Sequence, residues 1–313
     1  MKNAVLLSTY NGKAYLAEML ESLLRQQEVT FTCYIHDDGS TDGTLEILAE
    51  YEKRYPEIFV ILRDDKKNLG AKENFFHLIS SVEADYYFFA DQDDVWLPEK
   101  MKFTLEKLLD LEKKSSQKLP MAVFSDMYVT DSRLSVISDS FLNYIDRDGT
   151  YHSFSEILID NPAAGCSIVL NRTCRDKGLE LSDRSGIYMH DVWFLMTAAV
   201  FGMTDFCDQP LLYYRQHGGN EKGAVAENTT EKIKRNAADL SNRSAGEKKR
   251  IFYEEKASLA RGILSLSGVP EQKRKTLEGF VRLHEMSFIQ KIAFLKKNGI
   301  RRKKHNLFFM LWI

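Results

Sequence analysis

Two aspartates separated by one residue stand directly after a strongly apolar stretch of the chain. Asp91 and Asp93 follow residues 86–90, and Gln92 and Asp94 complete the turn. A buried strand would hold such carboxylates at a fixed point, and hard divalent cations such as Mg²⁺ or Mn²⁺ prefer oxygen ligands. The alternative is acidic capping of a following helix. We assign capping to Asp94 and metal binding to Asp91 and Asp93.

Two earlier turns carry further polar side chains, and each also follows a predicted strand. Residues 8–12 read Ser-Thr-Tyr-Asn-Gly, and residues 37–43 read Asp-Asp-Gly-Ser-Thr-Asp-Gly. In an open α/β sheet, ligands bind outside the carboxyl ends of the strands. One acidic turn is weak evidence, because Asp-Gly-Ser turns are common. Three such turns after strands of one sheet predict a shared site.

Short strands that alternate with helices must place these turns on one edge. The spacing of apolar residues predicts helices that begin near Leu16, Thr44 and Asn74. The predicted strands of this half cover residues 4–8, 31–36, 59–62 and 86–90. The alternation indicates βαβ units and therefore an α/β fold with a mostly parallel sheet flanked by helices.

The second half of the chain has a less regular pattern. Its predicted strands cover residues 121–125, 167–170 and 211–214, and a helix is predicted over 191–201. From Glu231 onward the pattern predicts mainly helices, with breaks near 268–270 and 298–299.

The composition describes a globular chain whose charge is unevenly spread. Its 313 residues are 44% hydrophobic and 28% charged, which excludes collagen-like and wholly disordered classes. Residues 232–313 hold 20 Lys+Arg and 7 Asp+Glu, a net charge of +13, and residues 1–231 carry −15. The acidic body argues against a nucleic-acid groove, because phosphate backbones need cationic surfaces.

The cysteine spacing and the lengths of the apolar stretches indicate in which cellular compartment the protein is found. None of the four cysteines belongs to a CxxC pair, so neither a zinc site of that type nor a disulfide framework is expected. The apolar start is too short for a secretory signal. No stretch reaches the roughly 18 apolar residues that a membrane helix needs. We therefore expect a cytoplasmic protein.

The ordered set of motifs resembles the inverting nucleotide-sugar glycosyltransferases of family 2, which have the GT-A fold. The resemblance runs from about residue 3 to 220 and rests on the three polar turns, on residues 68–70 and on Asn74. It implies a GT-A, Rossmann-like catalytic domain at 1–230, with a nucleotide-sugar half at about 1–95 and an acceptor half at about 96–230. Residues 231–313 would form a basic helical C-terminal region.

The resemblance assigns the nucleoside-binding residues to the first two turns. Thr9 and Tyr10 would line the nucleoside pocket, with Asn11 beside them. One carboxylate of the pair Asp37 and Asp38, with Asp38 favoured, would accept a hydrogen bond from the base. Uracil and thymine present the same imide edge, so such an acceptor favours either base.

The resemblance places the donor diphosphate between two further segments. Asn68, Gly70 and Lys72 would lie close to the phosphates, although Lys72 replaces the arginine often found nearby. The acidic turn would form the DxD element that holds a divalent metal, Mg²⁺ or Mn²⁺, against the phosphates. Its donor-site residues are Asp91, Gln92 and Asp93.

The catalytic base implied by the resemblance is Asp191, at the start of a helix in the second half. A single displacement at the anomeric carbon needs a carboxylate beside the acceptor hydroxyl. The alternative is that Asp191 caps that helix. At the position before Asp191, the family more often has an acidic residue, and this chain has His190. A histidine there resembles the family members that use deoxysugar donors.

Two further segments belong to the predicted site. Arg215 and His217 would contact the diphosphate, and His217 is also a candidate metal ligand. The alternative is an ordinary surface histidine, which usually binds neither phosphate nor metal. Residues 214–217, Tyr-Arg-Gln-His, resemble rhamnosyltransferases that use a thymidine-diphosphate donor. Residues 161–167 would shape the sugar and acceptor pocket, or form only a tight turn.

The C-terminal end combines basic and apolar residues. Lys296, Lys297 and residues 301–305 precede the apolar, aromatic stretch 307–313. Such a combination suits an anionic membrane surface, where each basic residue contributes about 1 kcal/mol. The alternative is a tail helix that packs on the catalytic domain. A lipid-linked acceptor would explain membrane binding, and we expect the protein on the inner face of the cell membrane.

The resemblance implies a bacterial hexosyltransferase of cell-surface polysaccharide synthesis. It would move a sugar, with dTDP-rhamnose favoured over a UDP-sugar, to a polysaccharide or lipid-linked saccharide. A sugar nucleotidyltransferase is one alternative, but residues 8–12 lack the basic, Gly-rich loop of that class. A catalytically silent nucleotide-binding scaffold is the other, and the intact acidic residues argue against it.

Overall fold

One sheet with helices on both faces organises the computed structural model, which describes residues 1–150, 152–217, 245–302 and Phe309. The first four strands along the chain are parallel, and they lie side by side in the order third, second, first, fourth. The strands in chain order are β1 (Asn3–Thr9), β2 (Thr32–Asp37), β3 (Phe59–Ile61), β4 (Tyr86–Asp91), β5 (Val95–Trp96), β6 (Met121–Thr130), β7 (Val136–Ser138), β8 (Ile168–Asn171) and β9 (Met203–Arg215).

The second half of the sheet mixes strand directions. β8 runs antiparallel between β4 and β6, β6 pairs parallel with β9, and β5 lies antiparallel at the far edge on β9. The predicted α/β fold is confirmed. The parallel pairing expected for most of the sheet covers the first four strands and the β6–β9 pair, because regular βαβ alternation ends after β4.

Helices cover both faces of the sheet. Successive residues of β1 enter different cores: Leu6 joins the cluster that contains Phe75 and Phe194, and Leu7 joins the cluster that contains Leu16 and Met101. The helices are α1 (Leu16–Leu24), α2 (Thr44–Arg54), α3 (Gly70–Ser81), α4 (Lys100–Lys113), α5 (Phe141–Tyr144), α6 (Phe154–Ile157), α7 (Arg172–Leu179), α8 (His190–Phe201), α9 (Ala245–Ser265), α10 (Glu271–Val281) and α11 (Phe288–Lys297).

The C-terminal helices share a hydrophobic core with the sheet and α8. Leu259 and Ile263 of α9 and Phe280 of α10 are buried in the same cluster as α8. Gly268 and Gly299 have φ of +68° and +64°, a left-handed conformation that ends helices, as the predicted breaks require. The expected membrane-binding residues 303–308 and 310–313 lie outside the described residues, as does the stretch 218–244.

None of the described helices combines the length and the apolar character that a transmembrane span requires.

Candidate active site

A cavity of about 1240 Å³ lies outside the carboxyl ends of β1, β2 and β4. The strand register explains why the polar turns meet there: Thr9 of β1 lies opposite Asp37 of β2, and Ser8 lies opposite Asp91 of β4. Most of the predicted site residues line this one cavity. They are Tyr10, Asn11, Asp38, Asn68, Gly70, Asp91, Gln92, Asp93, Asp191 and His217.

Four predicted donor-binding residues lie outside the cavity lining. The Thr9 hydroxyl donates to Asp37 Oδ2 at 2.8 Å, behind the cavity. Lys72 Nζ donates to the Arg184 carbonyl at 3.0 Å and pairs with Glu73. The fourth is Arg215, whose contacts are described below.

Asp37 organises the second turn from behind. Its carboxylate accepts the backbone N–H of Gly39 and Ser40 at 3.0 and 2.7 Å and the Ser40 hydroxyl at 2.6 Å. Ser40 Oγ in turn accepts the Asn11 N–H at 2.8 Å. The first and second turns are therefore one hydrogen-bonded unit, and Gly39, at φ +98°, supplies the left-handed conformation that it needs.

Asp38 faces the cavity and fixes the neighbouring loop. Its two carboxylate oxygens accept the backbone N–H groups of Leu69 and Gly70 at 2.7 and 2.8 Å. Its carbonyl accepts the N–H of Asn68 at 3.1 Å. Asp38 is buried, and it links the second turn to the loop predicted to lie near the phosphates.

Gln92 joins the acidic turn to the first turn. Its amide accepts the Tyr10 N–H and donates to the Tyr10 carbonyl, both at 2.9 Å. A Cβ atom at Gly12 would lie 2.1 Å from Gln92 Oε1, so the glycine leaves the space that this pair needs.

His217 and Asp93 face each other at the cavity wall. His217 Nε2 lies 2.8 Å from Asp93 Oδ2, and both side chains are 16% exposed. The His217 ring packs on Tyr15, with ring centroids 4.6 Å apart. The geometry places a nitrogen donor beside the carboxylates of the acidic turn.

Arg215 supports this turn from the protein interior. Its guanidinium donates to the Asp93 carbonyl and the Ser132 carbonyl, each at 2.7 Å, and forms an ion pair with Glu18. Its backbone N–H donates to Asp94 Oδ1 at 3.2 Å. Arg215 is fully buried. Because it donates hydrogen bonds to both Asp93 and Asp94, it holds the acidic turn in position.

Asp94 and Cys166 lie with Asp91 in one cluster, although the sequence predicted a metal role for neither. Ligand atoms of Asp91, Asp94 and Cys166 lie within 4.8 Å of one another. Burial raises the pKa of Asp94 well above its usual value, and the charges of Asp93 and Asp91 raise it further. Asp94 Oδ2 has no hydrogen-bond partner among the described residues. Crowded carboxylates with such an orphan oxygen fit a divalent cation.

The structure does not support helix capping by the acidic turn. α4 begins at Lys100 and its N-cap position is Glu99, so the capping role predicted for Asp94 is wrong. Asp94 precedes β5 and is buried instead.

Asp191 lies in the first turn of α8 and lines the cavity. The N-cap position of this helix is Met189, which leaves Asp191 outside the capping position. Asp191 Oδ1 accepts the N–H of Val192 at 2.6 Å. A carboxylate is thus presented to the cavity that the acidic turn also faces.

His190, beside Asp191, is a buried neutral ring. It stacks on Phe75 with centroids 4.0 Å apart and meets Phe89 edge-on at 4.7 Å. Burial lowers the pKa of the His190 imidazole to about 3. A Cβ atom at Gly165 would lie 2.8 Å from His190 Nε2, so the small residues of segment 161–167 make room for this ring.

The far wall of the cavity comes from parts of the chain that the sequence did not connect with it. Arg147, Tyr188 and the α9 residues Lys256 and Leu259 line it. Burial lowers the pKa of Lys256. No local motif marks Lys256 and Leu259, because only the packing of α9 against α8 brings them to the cavity.

Comparisons with known proteins agree with this architecture. Residues 4–152 match the family model described as glycosyl transferase family 2. The dTDP-rhamnosyl transferase RfbG of Shigella flexneri is 30% identical over 229 residues, which cover 70% of this chain and 74% of that protein.

Solved structures show the same fold at low sequence identity. S. aureus TarS (residues 1–349) in complex with UDP-GlcNAc superposes with a TM-score of 0.59 at 17% identity, over 95% of this chain and 80% of that chain. The mannosyltransferase PcManGT from Pyrobaculum calidifontis, in complex with GDP-Man and Mn²⁺, superposes with a TM-score of 0.53 at 12% identity, over 95% and 72%.

Proposed function

The chain belongs to glycosyl transferase family 2 and is a glycosyltransferase, and from this premise we propose a specific reaction. It transfers a sugar from a nucleoside-diphosphate donor, with dTDP-rhamnose favoured, to a saccharide or lipid-linked acceptor. One observation carries the proposal: Asp191 and the acidic turn at Asp91 and Asp93, distant in sequence, line the same cavity.

The nucleoside end of this cavity lies at the first two turns. Tyr10 and Asn11 line it, and Asp38 supplies a buried acceptor at its wall. Each Asp38 oxygen that binds the 68–70 loop has a second lone pair, which suits the imide N–H of uracil or thymine. Thr9 and Asp37 act one layer behind, by fixing the turn.

The acidic turn suits the donor diphosphate. A divalent cation, Mg²⁺ or Mn²⁺, would be held by Asp91 and Asp93, with His217 as a third donor. When bound, the ion supplies charge stabilisation to the leaving diphosphate. Arg215 keeps Asp93 in place, and the backbone of Asn68 and Gly70 forms the wall close to the phosphates.

Asp191 acts as the general base. Its carboxylate takes the proton of the acceptor hydroxyl as that oxygen bonds to the anomeric carbon. The bond from this carbon to the phosphate oxygen breaks in the same step, and the electron pair leaves with the nucleoside diphosphate. One displacement from the opposite side inverts the anomeric centre, and no covalent enzyme intermediate forms.

Donor choice rests on the relative named as a dTDP-rhamnosyl transferase. The test compares turnover of dTDP-rhamnose, UDP-GlcNAc and GDP-mannose in the presence of Mn²⁺ with one saccharide acceptor. Preferred release of dTDP, with a rhamnosylated product, supports the proposal. Consumption of added pyrophosphate with formation of a nucleoside triphosphate would instead indicate a sugar nucleotidyltransferase, and no turnover of any donor would indicate a silent scaffold.

The acceptor end of the cavity combines charges of both signs. Arg147, which pairs with Asp160 at 2.7 Å, and Lys256 line it together with Glu255. The guanidinium and the amine suit a saccharide linked through phosphate to a lipid. At the start of α11, Phe288 and Ile289 are 51% and 80% exposed on the same helix as Lys291, Lys296 and Lys297. Apolar residues beside cations suit an anionic membrane surface, so a peripheral position on the inner face of the membrane belongs to the proposal.

Membrane binding can be measured separately from catalysis. Sedimentation with anionic vesicles at physiological salt should retain the wild-type chain and lose the Ile289→Asp variant. The exposed apolar residue Val136 provides a matched control, Val136→Asp, which should still bind. Equal recovery of all three chains in the supernatant would contradict this part of the proposal.

A further inference from the structure

Two histidines and an aspartate converge on the far side of β2 from the acidic turn. They are His36 at the end of β2, Asp64 in the loop after β3, and His77 on α3. His36 Nε2 lies 3.4 Å from Asp64 Oδ1, and His77 Nε2 lies 2.6 Å from Asp64 Oδ2. The two rings meet edge-on with centroids 4.6 Å apart. The proposed transfer reaction uses none of the three.

The hydrogen bonds of Asn74 fix the proton on the His36 ring. Asn74 Nδ2 lies 3.3 Å from the His36 carbonyl, an oxygen that can only accept, so this atom is the donor end of the amide. Asn74 Oδ1 therefore faces His36 Nδ1, at 2.6 Å, and Nδ1 carries the proton. His36 Nε2 then faces Asp64 Oδ1 at 3.4 Å.

A proton on Nε2, or a metal cation shared by the two atoms, makes this contact favourable. His36 is 2% exposed, and its Nδ1–H donates to a side-chain oxygen, which is the arrangement that orients metal-binding histidines. Two imidazole nitrogens and one carboxylate form a ligand set typical of Zn²⁺, with a fourth position open to water. Mg²⁺ and Mn²⁺ prefer the oxygen-rich acidic turn.

The geometry points to a second metal site, for Zn²⁺, formed by His36, Asp64 and His77. The ligand atoms lie within 4.8 Å of one another, and four-coordinate zinc with bonds of about 2.0–2.1 Å needs closer contacts. Binding therefore draws the exposed Asp64 loop inward. Lys66 Nζ, 3.0 Å from His77 Nδ1, turns to solvent, and the His77 proton moves from Nε2 to Nδ1.

This site has a structural consequence for the cavity. The loop that begins at Asp64 ends at Asn68 and Gly70, which line the donor side. Zinc would link the Asp64 end of this loop to β2 through His36 and to α3 through His77. The other end of the loop is held by the hydrogen bonds of Asp38 to Leu69 and Gly70. The site is thus a clamp on the donor loop and is separate from the ion at the acidic turn.

The test uses the full chain, stripped with chelator and titrated with Zn²⁺ in excess Mg²⁺ against a chromophoric chelator. We expect one tightly bound Zn²⁺ per chain, and with Co²⁺ the intense visible bands of four-coordinate cobalt. His77→Ala should weaken zinc binding by more than about 100-fold, since even the loss of a residue supporting a ligand costs about 10–100-fold. Asp64→Asn, on the exposed loop, is the second variant.

Three controls separate this site from the proposed function. Asp65→Asn, next to the ligand, and His284→Ala, a distant exposed histidine, should bind zinc like the wild type. Asp93→Asn should keep the tight ion while losing Mn²⁺ at the acidic turn. Zinc lost only from Asp93→Asn, or retained equally by His77→Ala and Asp64→Asn, would overturn the second site, and donor turnover with Mn²⁺ is scored independently.

Discussion

Gly70 donates its backbone N–H to Asp38 Oδ2 at 2.8 Å, and both residues line the cavity. Because Leu69 donates to the other oxygen, the carboxylate is the anchor of this loop. Gly70, at φ +74°, adopts the left-handed conformation that lets its N–H reach the aspartate.

We expect Asp38→Asn to weaken donor binding by about 10–100-fold, because a charge-assisted hydrogen bond contributes about 1.5–3 kcal/mol. The new amide group would point a donor at a backbone donor and release the loop. Calorimetry with dTDP and Mn²⁺ measures the effect. The exposed Asp65→Asn is the control, and unchanged affinity in Asp38→Asn would remove the anchor role.

Asp191→Asn should lower the rate constant of transfer by about 100–10,000-fold, the usual contribution of a general base. Donor affinity should stay within a few-fold of wild type, because the turns that hold the donor are unchanged. Single-turnover assays together with calorimetry separate the two quantities. Asp208→Asn, an exposed carboxylate away from the cavity, serves as the control. A variant of Asp191 that turns over at the wild-type rate would exclude it as the base.

His217→Ala should weaken Mn²⁺ binding in the presence of dTDP. Its imidazole lies 2.8 Å from Asp93 Oδ2, so the variant removes one donor and leaves the carboxylates. Titration of Mn²⁺ by electron paramagnetic resonance measures the change, and His284→Ala should behave like wild type. If the metal affinity is the same in His217→Ala, then His217 is only a neighbour of the acidic turn.

Lys100→Met should stabilise the protein by about 1–3 kcal/mol at pH 7, the cost of a buried polar group without a partner. Lys100 is fully buried, its Nζ has no hydrogen-bond partner in the described part of the chain, and it lies 3.5 Å from the Trp96 ring centroid. Burial lowers the Lys100 pKa to about 7 from the usual 10.5.

The sign of the pH dependence follows from that shift. Between about pH 7 and pH 10.5 the unfolded chain binds a proton on Lys100 that the folded chain does not, so the stability of the wild type rises with pH in this window. The advantage of Lys100→Met is therefore largest at or below pH 7 and shrinks toward pH 10.5. Urea unfolding at several pH values, with the exposed Lys118→Met as control, tests this; a difference independent of pH would contradict the shift.

The sequence predicts the first half of the sheet well because each strand there is a continuous apolar run ended by a turn. β9 is far longer than the predicted 211–214, since Asp205, Asp208 and Pro210 interrupt its apolar pattern. Pro210 is accommodated at an irregularity in the pairing with β6, where a missing backbone donor is tolerated. α4 went unpredicted, although Met101, Leu105 and Leu108 show helical spacing.

The cavity-lining residues in the turns carry local motifs, whereas their supports do not. The buried neighbours Asp94 and Cys166 are 72 positions apart and meet only through the sheet. Lys256 follows Asp191 by 65 positions and reaches the cavity only through helix packing. Residue types alone do not report such proximity, because it arises from tertiary packing.

The side of α9 that bears Lys256 and Leu259 has two roles. It forms part of the cavity wall, and Leu259 also packs in the hydrophobic core beneath α8. Exchanging the C-terminal helices for those of another transferase would therefore alter substrate choice and folding stability together. Any effort to redirect this enzyme toward a new acceptor has to redesign that helix and its packing as one unit.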